Sequence, residues 1–133
     1  MMLNRVAQTI IVFVVLAGCD YVFREVLLVA VLGTYEIQGA KWLWFYGALA
    51  VMSAVLVAML SGVRANSRPI DGLVFGALLG FFFGMSEVRY LAQAVPGYWP
   101  VAILSCLVYV GQFAIAGWVL GKLDARYSIS QAK

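Results

Sequence analysis

Five charged residues lie inside stretches of this sequence that are otherwise almost entirely apolar. The chain has 133 residues, with nine Lys or Arg, six Asp or Glu, and no His. A charged side chain in hydrocarbon costs roughly 2.5 to 3.5 kcal/mol on insertion scales, so it needs a partner or water beside it. The predicted polar cluster, which could bind a ligand, consists of Asp20, Arg24, Glu25, Glu87 and Arg89.

The spacing of these charges predicts how they meet. Arg24 follows Asp20 by four positions, so an ion pair is available on one helical face. Asp20 and Glu87 each lie about 21 Å along a helix that enters from the same side, which predicts a shared depth. We therefore expect Arg24 to bridge Asp20 and Glu87. Such a network could fix helix register, or it could form a site that binds or passes a solute, with Tyr21, Tyr90, Gln93, Ser105, Tyr109 and Gln112 as further lining residues.

The composition predicts which elements carry these charges. Hydrophobic residues make up 65% of the chain and charged residues 11%, against about 45 to 50% and 25% in soluble domains. The apolar stretches approach the ~20 residues that cross a hydrocarbon core, and they lack the alternation of membrane strands. We predict one all-α domain over residues 1–133, a polytopic bundle of four transmembrane helices with spans at 6–31, 42–63, 73–95 and 101–120.

Basic residues predict the orientation of the bundle. Lys and Arg are concentrated before the first span, between the second and third, and after the fourth, at Arg5, Arg64, Arg68, Lys122, Arg126 and Lys133. Because cytoplasmic segments carry the excess of Lys and Arg, both termini are predicted to be inside. The expected location is the bacterial inner membrane, and the expected partners are the lipid bilayer and other transmembrane helices, with no nucleic acid.

Small residues recur at helical spacing on three of the spans. Such stripes let helix backbones approach closely, where van der Waals contact drives association in lipid. They predict packing within one protomer or a seam in a homo-oligomer or larger complex. A step of eleven residues from Gly76 returns to nearly the same helix face, so Glu87 is predicted on the packed side. The stripes are Ala50, Ala54, Ala58 and Gly62, then Gly76, Gly80 and Gly84, then Ala114, Gly117 and Gly121.

The first span admits a second interpretation. A short stretch of this span resembles the lipobox at which bacterial lipoprotein precursors are cut and acylated on the cysteine. It consists of Leu16, Ala17, Gly18 and Cys19. In that case the mature chain would begin at Cys19. Apolar character resumes after Glu25, which a lipid tether does not need, so an uncut helix is the preferred prediction.

The sequence contains no recognisable set of catalytic residues. Without histidine, and with two distant cysteines, the chain offers no recognisable metal or haem ligand set, so no cofactor and no metal are predicted. A serine nucleophile would need a base, and the carboxylates are already committed to arginines. The preferred function is a non-catalytic accessory or scaffold subunit. The alternative is a small oligomeric channel or carrier for a proton, cation or small solute at Asp20, Arg24 and Glu87.

One short pattern resembles that of a known group of proteins. The chain resembles an uncharacterised family of small four-helix bacterial inner-membrane proteins in one pattern, Gly76 to Gly80, then Glu87, then Tyr98-Trp99-Pro100. Asp20 also looks like the acidic residue of that family's first helix. The family carries an Asp and a Trp-Gly in its fourth helix, where this chain has an apolar run before Gly111. The resemblance implies topology and location, and no substrate.

Overall fold

The computed structural model describes residues 2–23, 41–62, 68–94 and 99–131, and four helices account for nearly all of them. These are α1 (Met2–Val22), α2 (Lys41–Gly62), α3 (Pro69–Ala94) and α4 (Trp99–Gln131). The all-α prediction is confirmed for this part of the chain. Three helices contain segments long and apolar enough to cross a membrane, Arg5–Val22, Pro69–Arg89 and Ala102–Leu123, whereas the apolar segment of α2, Tyr46–Leu60, is shorter.

The helix bounds differ from the predicted spans where local chemistry extends a helix. Helix α3 begins four residues before the predicted 73, because Pro69 suits a first helical position and the Asp71 carboxylate accepts the Arg68 backbone N–H at 2.8 Å. Helix α4 continues to Gln131, past the predicted end at 120, because no proline follows Leu120 and Lys, Leu, Ala and Arg favour helix. The predicted stretch 24–31 lies outside the described residues.

The chain forms two compact units, Met1–Ser61 and Gly62–Lys133. In the first unit, α1 buries one stripe at four-residue spacing, Gln8, Val12, Leu16 and Asp20. Helix α2 buries a second face, formed by Leu49, Ser53, Leu56, Val57 and Leu60. The buried Ser53 hydroxyl donates to the Leu49 carbonyl of its own helix at 2.7 Å, so this polar group needs no partner from another helix.

In the second unit, α3 and α4 run antiparallel with their backbones in close contact. A methyl group added at Gly72, Gly76 or Gly80 would overlap the backbone carbonyl of Gly117, Phe113 or Tyr109 respectively. At the two ends of this seam, an added Cβ at Gly84 would lie 2.8 Å from the Cys106 Sγ, and one at Gly121 would lie 2.8 Å from the Pro69 Cα. Glycine is thus required along this seam, because any side chain would force the helices apart.

Candidate functional site

The five predicted site residues have different surroundings. Asp20 is only 6% exposed and makes a polar interaction within the chain. Glu87 is half-buried, and Arg89 is exposed. Arg24 and Glu25 lie outside the described residues, as do the side chains of Tyr90 and Gln93. No ion pair joins two side chains of the described part of the chain, so the bridge from Asp20 through Arg24 to Glu87 stays a prediction.

Glu87 accepts a hydrogen bond from a residue that lies 22 positions further along the chain. The Tyr109 hydroxyl donates to the Glu87 Oε2 at 2.9 Å, joining α3 to α4. Side chains on a helix lean toward its N-terminus, and in an antiparallel pair these two lean toward each other. The glycine seam sets the register, because Gly80 contacts the Tyr109 backbone directly. A close backbone contact therefore aims the phenol at the carboxylate.

Aromatic packing fixes the ring of Tyr109. Its centroid lies 6.4 Å from that of Phe113, in a stacked arrangement, and Phe113 lies 5.5 Å from Phe83 of α3. Phe113 is completely buried, so one face of this polar pair borders a rigid apolar core. A hydrogen bond to an ionised carboxylate is stronger than one between neutral groups, since the charge assists it. The arrangement can hold a carboxylate in an apolar unit without a cationic partner.

A second buried polar group lies one turn further along α4. Gln112 is 3% exposed, and its Oε1 atom accepts no hydrogen bond in the structure, as far as the described residues go. Gln112 lies at the centre of the apolar segment Ala102–Leu123. The sequence pattern predicts Gln112 only as one of several lining residues. The signal that would have singled it out is a glutamine in the middle of an apolar run.

The three stripes of small residues differ in whether the fold buries them. Gly76, Gly80 and Gly84 of α3 lie against α4, and Gly117 and Gly121 of α4 lie against the start of α3. Ala50, Ala54 and Ala58 of α2 are all exposed, because α2 buries a different face, the one that carries Leu49, Ser53 and Leu56. Gly62 ends α2, and its surroundings lie outside the description. Gly72 also belongs to the seam, and a predicted span that began at 73 missed it.

The two cysteines do not form a disulfide with each other. Cys19 is half-buried in α1, Cys106 is buried against Gly84, and both are free thiols. Among the described residues, no group of three His, Cys, Asp or Glu side chains could hold a metal ion. The buried or half-buried polar groups of the described residues include the Asp20 and Glu87 carboxylates, the Tyr109 phenol and the Gln112 amide, and such groups can bind protons, water or small cations.

Comparison with family models, with curated proteins and with solved structures finds no significant match to this chain. The resemblance to the four-helix inner-membrane family stays a hypothesis.

Proposed function

We propose that this chain is a non-catalytic integral protein of the bacterial inner membrane that acts as an accessory or scaffold subunit in a larger membrane assembly. Three of its helices are long and apolar enough to span a bilayer. Large apolar side chains are exposed on every helix, among them Val14, Trp44, Phe82 and Leu107. Soluble monomers rarely expose so much contiguous apolar surface, whereas lipid and neighbouring helices cover it at no cost.

An aromatic and basic pair supports the membrane location. The Lys122 Nζ lies 3.9 Å from the centroid of the Trp118 ring, in the last turns of the apolar segment Ala102–Leu123. Trp is enriched at the headgroup boundary, and Lys extends from there toward water and phosphate. This pair is consistent with a cytoplasmic end of α4 at that point.

The observation that carries the accessory role is the exposed small-residue face of α2. The packing of α3 against α4 already involves the glycines that line their contact, Gly72, Gly76, Gly80 and Gly84 of α3 and Gly117 and Gly121 of α4. Ala50 and Ala54 are exposed, so no described residue of the chain buries them. In lipid such a face allows the backbone of another helix to approach closely. We therefore assign the interface with another subunit to this face of α2.

Native purification in mild detergent tests the assignment. The wild-type chain should carry stoichiometric amounts of another transmembrane chain, or of a second copy of itself. Ala54→Leu should lose that partner, because a larger side chain would separate the two backbones. Ala48→Leu is the matched control, since Ala48 is an exposed alanine on a different face of α2. A wild-type chain that purifies alone as a monomer would contradict the accessory role.

A second candidate is a small oligomeric channel or carrier for a proton, cation or small solute. The burial of Asp20 and the Glu87–Tyr109 hydrogen bond favour it, since ionisable residues inside membrane segments often mark ion pathways. In proteoliposomes, Glu87→Gln should change uptake with little loss of stability if the site conducts. It should lower stability and leave flux unchanged if the polar group is structural. Arg89→Gln, at an exposed position, is the control.

A further inference from the structure

The carbonyl oxygen of Gln112 is a buried acceptor without a donor in the described part of the chain. The residue is 3% exposed, and its neighbours in the sequence are mostly apolar. Buried polar side-chain atoms almost always have a hydrogen-bond partner, from the protein or from ordered water, so an exception needs a physical explanation. An explanation that adds no strain is a donor that does not belong to the described part of the chain.

Burial limits the size of that donor. A side chain from another subunit could reach Gln112 only if the residues that cover it moved apart, because almost none of its surface is open. A donor of one heavy atom fits that restriction, provided that it finds further polar partners. Ser105, Tyr109 and Gln112 are spaced by four and three residues and so share one face of α4. The Tyr109 hydroxyl already donates its hydrogen to Glu87, so its oxygen can only accept a further hydrogen bond.

These groups are rich in acceptors, which selects for a ligand with several hydrogens to donate. We propose that Gln112 Oε1 is a binding site for a small hydrogen-bond donor, a water molecule or an ammonium ion, one helical turn from Tyr109. Gln112 is at the centre of the apolar segment of α4, and so at mid-membrane depth if the proposed location holds. Transport proteins bind their ligands at that depth. The burial argument itself does not depend on the membrane location.

The substitution Gln112→Met tests whether the oxygen is occupied. Methionine has a similar length and volume and removes the acceptor together with the amide N–H donors. If a donor is bound, the melting temperature of the purified protein should fall by about 3 °C or more. If the oxygen is bare, removal of an unsatisfied polar group should leave the melting temperature unchanged or raise it, which would overturn the proposal.

Two measurements on the wild-type protein identify the donor. With ammonium bound, the melting temperature should rise with ammonium chloride and not with tetramethylammonium chloride, which has no N–H to donate. With water bound, ammonium should have no effect, and the side-chain amide protons of Gln112 should give nuclear Overhauser cross-peaks to water. These readouts decide the question even if Gln112→Met does not fold.

Gln8→Met is the matched control, because Gln8 is a buried glutamine that already has a polar interaction within the chain. This variant should melt at a lower temperature and keep any ammonium response. A loss of stability in Gln112→Met, with neither an ammonium response nor a cross-peak to water, would place the donor within the chain itself. That result would also overturn the proposal. A failure of α2 to bind a partner would leave all of these readouts unaffected.

Discussion

At the scale of single residues, the hydrogen bond between Tyr109 and Glu87 is the interaction whose energy can be measured most directly. Polar pairs between membrane helices contribute on average about 0.6 kcal/mol, and a charged acceptor raises the contribution. We expect a coupling energy of roughly 1 kcal/mol between Glu87→Gln and Tyr109→Phe in a double-mutant cycle. Unfolding by SDS in mixed micelles would measure it. Tyr21→Phe, at an exposed position on α1, should change nothing, and a coupling near zero would contradict the predicted role of the bond.

A second prediction at the residue scale concerns Cys19. Helix α1 continues without a break through Gly18, Cys19 and Asp20, and Asp20 is buried on the same stripe as Leu16. Signal peptidases need an extended segment at the scissile bond, so a packed helix disfavours cleavage at this point. We expect intact mass spectrometry of the purified protein to give the unmodified chain of 14.5 kDa. A shorter chain that carries diacylglycerol would establish the lipoprotein interpretation instead.

Which single residues could be predicted depended on whether the signal was local. Counting from Gly76 places Glu87 on the face that packs, since only one helix is involved. The partner Tyr109 required the register between two helices, which a seam of backbone contacts sets. No sequence rule gives that register before the seam is known. Whether the Oε1 atom of Gln112 finds a hydrogen-bond donor likewise depends on the residues that cover it, and sequence spacing does not identify those residues.

At the scale of elements, the glycine seam between α3 and α4 should tolerate no side chain. Gly80→Ala would put a methyl group onto the Tyr109 carbonyl, which is backbone and cannot turn aside. We expect a loss of roughly 1 to 3 kcal/mol in the free energy of unfolding, measured in detergent. Gly111→Ala in α4 is the control, because nothing lies within 4 Å of the added Cβ and alanine favours helix. Equal effects of the two substitutions would contradict the seam.

Composition is sufficient to predict that the helices form. The residues at which they begin and end depend on capping and helix propensity, which hydropathy does not measure. The apolar runs predicted α2 to within one residue at each end, at Lys41–Gly62. The cap formed by Arg68 and Asp71, together with Pro69, added a turn to the start of α3. Helix α4 has a length of roughly 50 Å, which exceeds the thickness of a bilayer core. Residues that favour helix continue beyond the end of its apolar segment. The small-residue pattern predicted contact but not which stripe the chain would bury.

At the scale of the whole molecule, composition determined the fold class and left the assembly open. An apolar chain with long uninterrupted runs can satisfy its backbone in lipid only as helices. That argument predicts the four helices and needs no tertiary contact. The exposed face of α2 and the buried polar groups depend on partners and packing, which a single sequence does not encode in any local pattern.

The last prediction is the orientation of the chain in the membrane. In the second unit, Gly121 contacts Pro69 and the Arg68 carbonyl, so Arg68 and Lys122 lie at the same end of the α3–α4 pair. The sequence between α3 and α4, residues 95–98, has no basic residue. Positive charge is retained in the cytoplasm, so the C-terminus should be inside, and Arg5 before the first span predicts the same side for the N-terminus. A fluorescent protein fused after Lys133 should fold and fluoresce, whereas alkaline phosphatase fused at Gly97 should be active in the periplasm. The reverse pattern would invert the bundle and place the Trp118–Lys122 pair at the outer surface.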